Sequence, residues 1–177
     1  MSQQDLNFIY GLTLKSMFIS GANNLENNKN LVNSLNVFPV PDGDTGTNMS
    51  LTMNSAIQEM NNSHDDDIFA IVEGIANGSL MGARGNSGVI LSQILRGFAK
   101  ALKDEERIDS IALANAFMEG SDTAYKAVMR PIEGTILTVI RESAEYGVKI
   151  ARQDMEIVHF LERVIIQANK TLEKTPD

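Results

Sequence analysis

The sequence predicts an all-α fold, and three observations carry that prediction. Apolar residues recur at steps of three and four through most of the chain. No stretch alternates apolar and polar residues for long enough to make a strand, and glycine and proline gather in a few places. The 177 residues, 43% of them apolar and 21% charged, suffice for one domain with a real core. The periodicity predicts six to eight helices packed as a bundle.

Taken in order, Leu6, Ile9, Tyr10, Thr13, Met17 and Leu25 fall along one helical face near the start. Ile68, Ile71, Val72, Ile75 and Ala76 mark another, with Asp65, Asp66 and Asp67 before it to cap the helix and complement its dipole. Val89, Ile90, Leu95, Phe98 and Leu102 form a third face, and Asp109 heads a segment carrying Leu113, Phe117, Ala124 and Val128. In the last helix Val158, Leu161, Ile165, Ala168 and Leu172 alternate steps of three and four. His64 and His159 read as solvated, the nine methionines as core filling, and Gly74 and Gly78 as close helix packing.

Composition excludes several functions. With 15 Lys+Arg against 23 Asp+Glu the net charge is −8, which argues against a broad basic surface for nucleic acid or anionic lipid. The absence of cysteine removes disulfides, thiolate metal sites and a cysteine nucleophile, and two distant histidines make a zinc site a poor reading. No secretory signal opens the chain, and no apolar run approaches the ~20 residues needed to cross a bilayer. The expectation is a cytoplasmic domain without a membrane span.

Three of the four prolines are Pro39, Pro41 and Pro131, and six of the 13 glycines lie between Gly74 and Gly97. They define three loops, 36–48, 81–88 and 130–135, each feeding a helix. In the first, Pro39 and Pro41 push Phe38 and Val40 into extended geometry. Asp42 and Asp44 flank Gly43, and two carboxylates converging in a tight turn are costly without a cation between them. A hard divalent ion such as Mg²⁺, which takes oxygen ligands and phosphate, answers that repulsion. Thr45, Gly46, Thr47 and Asn48 then offer small side chains and backbone N–H groups at a helix start, a natural phosphate seat. An EF-hand loop begun at Asp42 fails, because it needs Gly and Glu where Thr47 and Met53 stand.

The second loop, Met81-Gly82-Ala83-Arg84-Gly85-Asn86-Ser87-Gly88, matches neither a dinucleotide fingerprint nor a P-loop. Gly85 and Gly88 still allow close backbone approach to a ligand, and Ser87 adds a hydroxyl at a helix N-terminus. In the third, Arg130-Pro131-Ile132-Glu133-Gly134-Thr135, Thr135 is placed as a helix N-cap. For Arg84 and Arg130 surface ion pairing is the first expectation.

Together these three segments resemble the DhaL (DAK2) family, which includes the nucleotide-binding subunit of dihydroxyacetone kinase. They resemble more closely the branch formed by the N-terminal domain of bacterial fatty acid kinase. The resemblance spans essentially the whole chain and implies an eight-helix up-and-down barrel with ATP and two Mg²⁺ ions at one end. It implies Asp42 and Asp44 as Mg²⁺ ligands and Thr45, Gly46, Thr47 and Asn48 along the triphosphate. Asn86, Ser87 and Gly88 would form a second phosphate-binding turn, with Thr135 and Ile136 near the nucleoside. Where dihydroxyacetone kinase subunits carry a third upstream Asp, Asn36 stands here as the candidate third Mg²⁺ ligand, its amide oxygen able to coordinate the ion with one negative charge fewer.

The resemblance also implies residues 1–177 as one nucleotide-binding domain at the N-terminal part of a longer protein, with a homodimer as one expected arrangement at full length. The acceptor would be a fatty acid carboxylate presented by a separate fatty-acid-binding subunit, giving an acyl phosphate. Such an acceptor is already ionised at neutral pH and needs no general base, and none is evident. The alternatives are a dihydroxyacetone kinase-type subunit and a non-catalytic domain that binds nucleotide to regulate a partner.

Overall fold

The computed structural model describes residues 6–37, 41–62 and 67–175. Within them run α1 (Gly11–Ser34), α2 (Thr45–Asn62), α3 (Ile68–Met81), α4 (Gly85–Leu102), α5 (Ser110–Ala127), α6 (Ile136–Ile150) and α7 (Ile157–Leu172). Successive helices pack on one another and α2 also lies against α4, so the chain is an all-α up-and-down bundle. The seven helices among the described residues fall inside the six to eight that periodicity predicts. They are one fewer than the eight that the resemblance implies.

The helix starts follow their caps. Asp67 accepts a hydrogen bond from the Ala70 N–H (2.7 Å), Asp109 one from Ala112 (2.8 Å) and Thr135 one from Leu137 (3.3 Å). Asp65, Asp66, His64, Phe38, Pro39 and Val40 lie outside the described residues. No strand forms among the described residues; an isolated antiparallel bridge between Ile9 and Ile108 ties the chain start to the α4–α5 connection.

The core is aliphatic around α3, where Ile68, Ile71, Val72 and Ile75 are all buried. Phe18 of α1 meets Phe98 of α4 edge-on at 5.9 Å, and Phe98 meets Phe117 of α5 at 5.6 Å. Gly74 and Gly78 let α3 close onto α2: a Cβ at Gly74 would stand 2.6 Å from Met60 Cα, and one at Gly78 2.5 Å from the Ser55 carbonyl oxygen. Met53 and Met60 fill the core as expected, whereas Met81 and Met129 are exposed.

Three faces differ from the sequence expectation. Leu6, Ile9 and Tyr10 precede α1 rather than lying on it, Thr13 is exposed, and α1 buries Gly11, Leu14 and Ala22 instead. On α4, Val89 turns outward while Leu95, Phe98 and Leu102 are buried as expected. On α7, Val158, Ile165 and Leu172 are 59%, 57% and 57% exposed. The face turned inward is Ile157, Phe160, Val164 and Thr171, one residue earlier around the helix. Both arcs of α7 have helical spacing, so spacing could not choose between them. Phe160, fully buried on the α6 side, decides the rotation, and the Thr171 hydroxyl donates to Glu142 Oε2 of α6 at 2.8 Å.

Because short connections make successive helices antiparallel, α2, α4 and α6 all begin at one end of the bundle. The three loops singled out in the sequence therefore open on the same end. At the opposite end Ser110 Oγ donates to the Arg152 carbonyl oxygen (2.6 Å), joining the α5 start to the α6–α7 connection. No helix among the described residues is long and apolar enough to cross a membrane.

Candidate functional site

The first loop is held by two asparagines of the preceding segment. Asn33, near the end of α1, accepts the Thr47 N–H with its amide oxygen (3.0 Å) and donates its amide N–H to Thr47 Oγ1 (3.0 Å). Asn36, the candidate third metal ligand, donates from Nδ2 to Asp42 Oδ1 at 2.7 Å and so orients one of the carboxylates. Gly43 takes φ +68, a left-handed turn that sets Asp42 and Asp44 on either side of it. The Asp44 carbonyl accepts the Asn48 N–H (2.8 Å), which opens α2, and both Asp side chains stand exposed at its mouth. Gly46 is buried beneath: a Cβ there would meet the Lys29 carbonyl oxygen at 2.2 Å. The Lys29 ammonium is taken by Glu26, whose carboxyl it holds below the ordinary range.

The second loop sits directly against the first. Gly85 has φ +59, and a Cβ on it would come within 2.4 Å of the Asn48 amide nitrogen. Gly88 faces Thr52 Oγ1 at a Cβ distance of 2.4 Å. That hydroxyl donates to the Asn48 carbonyl oxygen (2.8 Å) and accepts the Arg84 N–H (3.2 Å). The starts of α2 and α4 are thereby locked side by side. Arg84, the N-cap of α4, makes no side-chain capping bond, so first-turn N–H groups beside Asn86 and Ser87 remain available to an anion. Among the described residues neither Arg84 nor Arg130 pairs with another described acidic side chain.

The third loop shares this end, with Thr135 capping α6 and Ile136 as its first helical residue. Its contacts run to α5, α6 and the chain beyond α7, where a Cβ on Gly134 (φ +75) would stand 3.1 Å from the Thr175 carbonyl oxygen. The site is an open end of the bundle, not an enclosed cavity. A cavity of about 570 Å³ does exist, at the opposite end between Tyr10, Leu12, Phe69 and Glu105, and contains none of these residues. Helix N-termini and glycine turns bind anions from an open face, so the loop end remains the chemically reasoned site.

Residues 39–177 match the profile of the DAK2 domain. The chain belongs to the DAK2 (DhaL) domain family. DAK2 domains bind ADP or ATP and are the nucleotide-binding part of kinase systems that work with partner subunits. The chain is 51% identical over 169 residues to an uncharacterized protein of Staphylococcus aureus (strain bovine RF122 / ET3-1), covering 96% of this chain. It is 50% identical over the same span to an uncharacterized protein of strain USA300. It spans 31% of the length of each of these relatives.

The donor chemistry fits the ion that such a domain implies. No group of three or more His, Cys, Asp or Glu gathers into a metal cage among the described residues. Two carboxylates on one turn are therefore an incomplete set of hard oxygen donors. That suits Mg²⁺, which fills its remaining positions with phosphate oxygens and water.

Sequence reasoning missed Asn33 and Thr52, which fix the geometry of the first two loops. Each acts through a partner 14 or 32 residues away, a pairing that carries no local signal.

Proposed function

We propose that the chain is the ATP- and Mg²⁺-binding domain of a kinase that phosphorylates a fatty acid carboxylate. The acceptor is presented by a separate fatty-acid-binding subunit, and further domains of a longer protein complete turnover. The observation that carries this reading is the Asp42-Gly43-Asp44 turn at the start of α2, locked through Asn48 and Thr52 against the glycine turn that opens α4. Asp42 and Asp44, with Asn36 orienting the former, hold the ion; Mg²⁺ there would neutralise charge along the phosphates. Thr45, Gly46, Thr47 and Asn48, facing Asn86, Ser87 and Gly88, steady the β- and γ-phosphates through backbone N–H groups. Thr135 and Ile136 close on the nucleoside.

In the step, a carboxylate oxygen attacks the γ-phosphorus while the bond to the β–γ bridging oxygen breaks. Acyl phosphate and ADP result, and no proton must be removed from the acceptor. The resemblance and the family's role in kinase systems support this reading, and the −8 net charge makes a divalent counter-ion the natural companion of an anionic nucleotide. The test is phosphate transfer from ATP by the full-length protein with a lipid-binding partner. Transfer to a fatty acid and not to dihydroxyacetone is expected. Transfer to dihydroxyacetone with a ketose-binding partner would replace this reading with its sibling, and nucleotide binding with no transfer to either would make the domain regulatory.

A further inference from the structure

At the third loop, three groups meet around one carboxylate. Glu133 Oε2 accepts from Thr138 Oγ1 (2.7 Å) and from Arg141 Nη2 (2.7 Å), while Glu133 Oε1 accepts from the Tyr125 hydroxyl (3.2 Å). The network closes on itself. Arg141 Nε donates to the Tyr125 oxygen (3.1 Å), and the Gly134 N–H donates to Thr138 Oγ1 (2.9 Å). Tyr125 belongs to α5, Thr138 and Arg141 to α6, and Glu133 to the loop, so one side chain fastens the loop to both helices. Two residues later Thr135 Oγ1 donates to the Ile132 carbonyl oxygen (2.8 Å) and accepts the Leu137 N–H, so the same short turn carries the cap of α6.

A loop of this kind without the carboxylate would keep only its glycine turn and cap. Gly134 at φ +75 gives the chain freedom to leave its observed path, and Met129 and Ile132 on either side are exposed rather than anchored in the core. The first two loops need no such device, being locked by Asn33, Asn48 and Thr52. The third has no hydrogen bond to them among the described residues; its side-chain tethers run to α5 and α6 instead.

We infer that Glu133 is a positioning residue: gripped by Thr138, Arg141 and Tyr125, it pre-orders the third loop so that Thr135 and Ile136 stand ready as the nucleoside-facing wall. The inference rests on the nucleotide-binding reading above and deepens it. A wall that is ordered before the ligand arrives spares the complex the cost of ordering it. If loss of the tether left the loop correctly placed about a tenth of the time, apparent affinity would fall about tenfold.

The test compares wild type, Glu133→Ala and Glu133→Gln in two measurements: calorimetric titration with Mg²⁺ and ATP, and amide hydrogen exchange of the nucleotide-free protein. Glu133→Ala is expected to bind about tenfold more weakly and to exchange faster at residues 132–138, with α2 and α4 unchanged. Glu133→Gln, which keeps an acceptor for Thr138, should recover part of both. Unchanged exchange, or unchanged affinity in Glu133→Ala while the wild type binds, overturns the inference and leaves the nucleotide reading standing. A wild type that binds no ATP overturns the nucleotide reading and the inference with it, and faster exchange in the variant would then mark Glu133 as a purely structural tether.

Discussion

Gly85 shows how much of the site is decided by single positions. Its φ of +59 lies where a side chain is costly, and the Asn48 amide occupies the place a Cβ would take. Gly85→Ala therefore meets a backbone penalty of about 1–2 kcal/mol and also pushes the second loop off the first. The expected result is a lowered denaturation midpoint in urea together with an ATP affinity reduced by more than the stability loss alone explains. An Asn48→Ala background should relieve part of the clash. Glu133 gives a second prediction at this scale. Its carboxyl titrates below the ordinary range, held there first by the Thr138 hydroxyl and then by Arg141 and Tyr125. For an acid depressed in the folded state, the tether is intact above the unfolded-state value near 4.5 and is lost as pH falls through the lower folded-state value. The Gly134 amide should thus hold its NMR shift from neutral pH down to the ordinary carboxylate range and move only below it. Movement at pH 6 would contradict the assignment.

At the scale of elements, α7 separates what periodicity can decide from what it cannot. Phe160 is buried against α6, and Phe160→Ala should cost about 3–5 kcal/mol, read as a large drop in thermal midpoint. Val158, Ile165 and Leu172 face outward, so changing all three to Gln should leave the stability of this chain within about 0.5 kcal/mol per site. The spacing of those three residues made them look like the inner face, and helical spacing is indeed present there. The equally spaced arc one residue earlier wins because it carries the largest ring and a threonine that bonds across to Glu142. The other elements were more legible. Asp67, Asp109 and Thr135 cap the helices that their positions announce, and α3 buries the face its isoleucines mark. The start of α1 was misread because Ile9 is buried in an extended bridge to Ile108, a pairing across some hundred residues that no local pattern reveals.

For the whole molecule, the sequence reading of an all-α helical bundle agrees with the structure. That the three loops open on one end, with the first two in contact through Gly85 and Gly88, is a finding of the folded chain. What could not be read was how the loops are held, because Asn33, Thr52 and Glu133 act through partners that only the folded chain brings near. A domain of net charge −8 offers little long-range attraction to ATP, itself an anion, so the account makes nucleotide binding depend on the ion at Asp42 and Asp44. The most direct measurement is calorimetric titration of ATP into wild type and an Asp42→Ala/Asp44→Ala variant, each with Mg²⁺ and with EDTA. The account predicts clear binding only by the wild type with Mg²⁺, and at least tenfold weaker binding (about 1.4 kcal/mol) in the other three titrations. Equal binding by wild type and variant in Mg²⁺ would contradict it.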